Sequence, residues 1–298
     1  MDDLLESDLF HDVKHRIMSI VEQIKSADNL LLVATADLES ILAMANIESA
    51  LIDSKIPYSR RVLNSITHQP KGEPYHIEST GSLTVSIEQY EETWDSNEID
   101  DSDRLRIVPL TVLVSHSNSS KRGALDVVIQ SAAIAAALSP NGARVRRIRP
   151  LAGIGHWLRE SLDTSYDPVH SKIRDLLRDE GSIRLVPLPE VESAEISMIP
   201  GMSKSVLKRL SSKWSKMDFE QRSQAMSELV LPTLENSNLS TPRLEELIWY
   251  RVIFGGSKID LHSQVYLAKD SWPEDIDVGK SHAAMILKRL ITTGQLLE

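Results

Sequence analysis

NLLLVATADLESILAMANIESALIDSKIPYSRRVL, residues 29–63, is where the fold can be read first. Leu30-Leu31-Leu32-Val33-Ala34 is an apolar run of strand length, the pattern of a strand covered on both faces. Asp37 follows directly. From about Leu38 to Ser54, Ile41, Leu42, Ala45, Leu51 and Ile52 recur at helical spacing. Ile56-Pro57-Tyr58 then leads into Arg61-Val62-Leu63, a second strand. Strand, helix and strand in this order form a βαβ unit, which predicts a parallel sheet with a right-handed crossover.

On the N-terminal side, Leu5, Leu9, Val13, Ile17, Ile20, Val21 and Ile24 predict one amphipathic helix over residues 4–24. Downstream, residues 83–87 alternate as a strand, and the acidic stretch 91–103 reads as a solvated loop. Residues 105–108 and 111–114 read as β structure interrupted at Pro109. The Ala-rich, nearly uncharged segment 123–138 reads as a helix buried on most sides. Arg144-Val145-Arg146-Arg147-Ile148-Arg149 reads as a basic strand, with helices near 151–163 and 168–179. Past residue 190 the pattern turns helical, over 203–216, 218–235, 241–253 and 279–294. The expected architecture is α/β: a mainly parallel-sheet domain over 1–190, then a mainly helical domain over 191–298. The boundary falls in VPLPEVESAE, residues 186–195.

With 41% hydrophobic and 26% charged residues, the 298-residue chain has the composition of a globular protein rather than a disordered one. No apolar run approaches the ~20 residues of a membrane span. The N-terminus, MDDLLESDLFHDVKHR, lacks the basic start and apolar core of a signal peptide, so a soluble, cytoplasmic protein is expected. Cysteine is absent, which excludes disulfides, Cys-ligated metal centres and thiol catalysis. The net charge of −10 argues against a general attraction to nucleic acid and favours a protein partner, although a local basic strip can still bind phosphate.

The chemistry-bearing candidates begin with Asp37 and Glu39, just past the first strand. Carboxylates at the C-terminal edge of a parallel sheet are well placed for metal or phosphate chemistry. They also suit a purely structural role, Asp37 as a helix N-cap and Glu39 in a first turn favoured by the helix dipole. A second candidate is Ile199-Pro200-Gly201-Met202-Ser203 with the basic residues Lys204, Lys208, Arg209, Lys213 and Lys216 behind it. It resembles a helix-hairpin-helix loop, and it also reads as a proline-started helix with a solvated face. A third is the pair Arg144 and Arg146, which strand alternation would put on one face, either to bind phosphate or to protect an edge. Trp157, Trp214 and Trp249 lie at helix positions and are expected in the core.

The βαβ stretch resembles the opening of DHH-family phosphoesterases, RecJ-like nucleases among them, in which a strand runs into H-x-D-x-D-G-x-x-S, a helix and a second strand. The resemblance puts Thr35 in place of His, Asp37 on the first Asp, Glu39 on the second, Ser40 on Gly and Ala43 on Ser. Val112–Ser117 is similar to the strand ending in the family's Asp-His-His, with only His116 kept. Glu88 is the nearest acid to the middle motif, and Gly153-Ile154-Gly155-His156 stands at the fourth without an acid. Two-metal hydrolysis needs several ligands to hold ions ~3.5–4 Å apart. The resemblance leaves Asp37, Glu39 and His116, and so implies a dead site or one weakly held ion.

Residues 124–153 and 195–210 are similar to archaeal RecJ-like proteins associated with the GINS complex, whose eukaryotic counterpart is the catalytically dead DHH subunit of the replicative helicase. The resemblance implies a non-catalytic binding subunit in DNA replication or repair, docked on GINS and through it on the MCM helicase. No cofactor is then expected, and single-stranded DNA remains a possible ligand. The glycine-rich nucleic-acid-gripping domain of an active nuclease is hinted at only by Gly255-Gly256. The alternative is a divergent Mn- or Mg-dependent single-strand nuclease or phosphoesterase. It would use Asp37, Glu39 and His116 as ligands, with Arg144 and Arg146 steadying a phosphate.

Overall fold

The structure, a computed structural model, describes residues 4–68, 77, 81–89, 103–116, 119–159, 162, 166–236 and 239–297. The chain forms two compact units. One comprises Met1–Arg159, Asp167–Ser182 and Trp272–Glu298, the other Glu160–Tyr166 and Ile183–Ser271. Where the sequence suggested one boundary near residue 190, the chain passes briefly through the second unit over Glu160–Tyr166, enters it again at Ile183 and returns to the first at Trp272. Among the described residues no helix is long and apolar enough to cross a membrane.

The first unit is built on a parallel sheet of β1 (Leu30–Thr35), β2 (Ser59–Leu63), β3 (Leu83–Ile87) and β4 (Arg104–Ile107), in the order β2-β1-β3-β4. The protein is therefore α/β, as expected. β1 is paired on both sides and all six of its residues are buried, which is why its sequence is a continuous apolar run. The helix that follows, α2 (Leu38–Asp53), is buried over most of its length, Asn46 and Ser49 included. It packs against β1 and against α3 (Val127–Leu138), the Ala-rich helix. Small side chains on both helices let the two axes approach closely.

The N-terminus departs from the single helix expected over 4–24. Two 3-10 turns, Leu4–Glu6 and Asp8–Phe10, precede α1, which spans Lys14–Ser26. The Ser7 hydroxyl accepts from the Leu9 amide and so offers the backbone a turn instead of a helix. Leu4, Leu5, Leu9 and Phe10 are all buried by those turns.

β5 (Leu110–His116) and β6 (Ser119–Leu125) form an antiparallel hairpin separate from the parallel sheet. Arg144 and Arg146 do not lie on a strand. They belong to α4 (Ala143–Ile148), which starts after Gly142 and buries Val145 and Ile148, three residues apart, on one face. Two short helices complete this part: α5 (Ile154–Leu158), briefer than expected, and α6 (Pro168–Asp179).

The second unit holds α7 (Lys204–Trp214), α8 (Phe219–Asn236), α9 (Thr241–Trp249) and α10 (Leu261–Asp270). It is not wholly helical: β7 (Arg184–Val186) pairs antiparallel with β8 (Arg251–Ile253). Arg251 is fully buried there, donating to the Glu195 carbonyl at 2.9 Å and lying 3.3 Å from the Asp260 carboxylate. Trp157 and Trp214 are buried as expected, but Trp249 is 44% exposed. The last helix, α11 (Ile276–Thr293), belongs to the first unit, where it packs on α2, α4 and β2.

Candidate functional site

Asp37 and Glu39 sit where the sequence places them, at the C-terminal edge of β1 and the start of α2. Asp37 occupies the N-cap position but does not cap with its side chain. Its carboxylate turns to the segment after β2, accepting from the Ser65 hydroxyl and, at 3.0 Å, from the Ile66 amide. Trp272 closes the same edge, donating from its indole N–H to the Ala36 carbonyl at 3.0 Å.

Glu39 points inward and is buried. Arg159, just past α5, donates from Nε to its carboxylate at 2.7 Å and from Nη2 to the Gln89 carbonyl at 2.9 Å. Burial pushes the Glu39 carboxyl up to about 7; Arg159 pulls it down, Asp126 pushes it up and His156 pulls it down. The desolvation cost thus outweighs a good ion pair, as is common for buried pairs. Thr35, at the position of the family's His, shares a hydrogen bond of 2.9 Å with Ser40, which also accepts from the Gln89 amide. Two hydroxyls and an amide occupy the space beside the carboxylates.

The next strand end shows the same arrangement. Glu88, just past β3, is fully buried, and arginines from β4 neutralise it. Arg104 donates at 2.6 Å to one oxygen and Arg106 at 2.6 Å to the other, with the Ser86 hydroxyl adding a bond of 2.7 Å. Burial raises its carboxyl, but the bonds from Arg106 and Ser86 and the charges of both arginines win and hold it below the usual carboxylate range.

A third group of ionisable residues adjoins Glu39. His156 of α5 is buried between two carboxylates, with Nδ1 at 3.0 Å from Asp167 and Nε2 at 3.4 Å from Asp126. Each of those carboxylates caps a helix with its other oxygen: Asp126 accepts from Val128 and Ile129 at the start of α3, Asp167 from Val169 and His170 at the start of α6. Burial disfavours the charged imidazole, but the two carboxylates outweigh it and raise its pKa. The result is a buried rivet joining three helices. The sequence offers two N-cap signals, Asp126 before Val127 and Asp167 before Pro168, but nothing in it brings them to one histidine.

The remaining candidates stand on other elements. His116 is at the tip of the β5–β6 hairpin, paired in register with Ser119, at the far end from Leu110; its side chain falls outside the described residues. Arg144 is committed to Asp53, donating from its amide and from Nη1, both at 2.8 Å. Arg146 donates to the Asn141 carbonyl at 2.6 Å. Arg147 and Arg149 of the same basic run are likewise engaged, by the Thr292 carbonyl and by Glu180. The run is helix-fastening charge rather than one strand face. Lys204 and Lys208 lie exposed on α7, in the second unit. Among the described residues no group of three or more His, Asp or Glu side chains is arranged to hold a metal ion.

The edge is therefore a set of buried carboxylates, two of them already bound to arginine. It can fasten the sheet to the helices above it, and it offers few free lone pairs to an incoming cation. No family model matches this chain, and no curated protein matches it.

Proposed function

We propose that this protein is a non-catalytic, DHH/RecJ-like binding subunit of the DNA replication or repair machinery, acting in the cytoplasm through contacts with GINS and, through it, the MCM helicase. The observation that carries the reading is the pairing of Glu39 with Arg159, beside Glu88 paired with Arg104 and Arg106. A divalent ion needs carboxylate lone pairs and is repelled by a fixed positive charge beside it. An arginine held 2.7 Å from Glu39 occupies one of its carboxylate oxygens and supplies the repelling charge. The parallel order β2-β1-β3-β4 with Asp37 and Glu39 at its C-terminal edge agrees with the resemblance on which the rest of the proposal stands. The proposal needs no metal cofactor.

The test is a pull-down with purified components. The immobilised chain should retain GINS, and MCM only when GINS is present, with Asp37→Ala retaining both equally. Failure to retain GINS at micromolar concentrations would overturn the assignment.

A further inference from the structure

We propose that the exposed face of α7, in the second unit, binds the phosphate backbone of nucleic acid. Lys204, Lys208, Arg209, Lys213 and Lys216 are all exposed on or just past this helix, and the stretch 203–217 contains no acidic residue. In a chain with a net charge of −10, that concentration is local and one-sided. Among the described residues none of the five makes an ion pair. Asp218 and Glu220 follow the stretch directly and pair with none of the five, Asp218 accepting from the Gln221 amide at 2.9 Å; three acids that precede it are engaged elsewhere. Glu190 accepts from the Trp214 indole at 2.9 Å, and Glu192 pairs with Lys258 at 3.0 Å. Glu195 accepts from the Ile196 and Ser197 amides and feels Lys204 only through its charge.

The other face of α7 is fixed by buried Leu207, Leu210 and Trp214, so the cations are presented on a rigid element. Between Lys204 and Lys213 the helix axis advances ~13.5 Å, the axial length of about four nucleotides of one strand. The residues between the cations on this face are serines, Ser205, Ser212 and Ser215. A protein partner would call for an aromatic or aliphatic anchor at the centre of the patch; the exposed face of α7 has none, and the exposed Phe219 lies beyond its end, at the start of α8. Charge without base-reading groups gives binding that ignores sequence and depends steeply on salt. This surface shares no residue with the Glu39 edge, so the inference stands or falls independently of the assignment above.

The experiment is fluorescence anisotropy of a labelled oligonucleotide, single- and double-stranded, with the full chain over a range of salt. The triple variant Lys208→Glu, Arg209→Glu, Lys213→Glu should bind on the order of tenfold to a hundredfold more weakly. It should also flatten the log–log salt slope by about 2 for a single strand. Lys25→Glu with Lys121→Glu makes comparable reversals on the first unit and should change neither. An unchanged melting temperature shows that the triple variant is folded. No binding by the wild type, equal binding by the triple variant, or equal loss in the control would overturn the proposal. So would polyglutamate of matched charge binding as tightly as the oligonucleotide, which would mark the face as a dock for an acidic protein.

Discussion

Replacing Arg159 with alanine asks what keeps Glu39 ionised. Glu39 is 8% exposed, and burial has already pushed its carboxyl up to about 7 against the pull of Arg159. Arg159→Ala removes the bonds to Glu39 and to the Gln89 carbonyl. A charge-assisted and an ordinary hydrogen bond together stabilise by about 2–3 kcal/mol. Without the guanidinium the carboxyl titrates higher still. Between pH 7 and that higher value the folded wild type has lost the Glu39 proton while the folded variant keeps it; the unfolded chain has lost it in both. The folded variant then binds more protons than its unfolded form, so rising pH destabilises it. Its deficit widens by about 1.4 kcal/mol per pH unit. At pH 5.5 Glu39 is protonated in both folded proteins and only the bonds are missing. At pH 8 the deficit should reach about 3–4 kcal/mol, a fall in melting temperature of roughly 6–16 °C for a unit of this size. Thermal melts at pH 5.5, 7 and 8 read this directly, and adding Glu39→Gln should abolish the widening. A melting temperature within about 2 °C of wild type at pH 8, or the same gap at pH 5.5 and 8, would refute the argument.

His156 faces Asp126, Asp167, Arg159 and, further off, Glu39, with the His170 ring 6.4 Å away. Because its folded pKa is raised, the stability it contributes is full below its unfolded value of about 6.5 and is lost as pH rises through the folded value. His156→Gln should therefore lose more stability at pH 6 than at pH 9, as melts across that range will show. At Gly155 an added Cβ would overlap the Asp126 carboxylate, which caps α3 and holds His156. Gly155→Ala should therefore cost about 2–4 kcal/mol, a lost cap plus a strained ion pair, in a urea melt.

The part of the fold that could be read from the sequence was the part whose environment is uniform. β1 is buried on every side, so its run of Leu and Val could mean little else, and α2 follows from its apolar spacing. The misreadings came where local pattern and packing diverge. Arg144-Val145-Arg146 alternates as a strand does, but Arg147 breaks the alternation and Val145 and Ile148 sit three apart, at helical spacing; six residues are too few for the period to decide by itself. The helix α10 escaped because its buried positions include His262, Ser263 and Gln264, polar residues that break the apolar stripe; Ser263 and Gln264 are satisfied by local bonds to Asp260 and to the Ile259 carbonyl.

The site divides in the same way. Asp37 and Glu39 could be located because strand, acid and helix are adjacent in sequence. The partners that decide their chemistry could not, since Arg159 lies 120 residues from Glu39 in sequence. Glu88 could be marked as an acid at a strand end, but not as one held by Arg104 and Arg106. Charge neutralisation across a fold leaves no trace in local spacing.

The most direct test of the central claim is degradation of single-stranded DNA and RNA in Mn²⁺ or Mg²⁺ by the wild type and by Asp37→Ala. The account predicts no degradation above background, and the same result for both proteins. Degradation that requires the metal and disappears with Asp37→Ala would contradict it and make this chain a working nuclease.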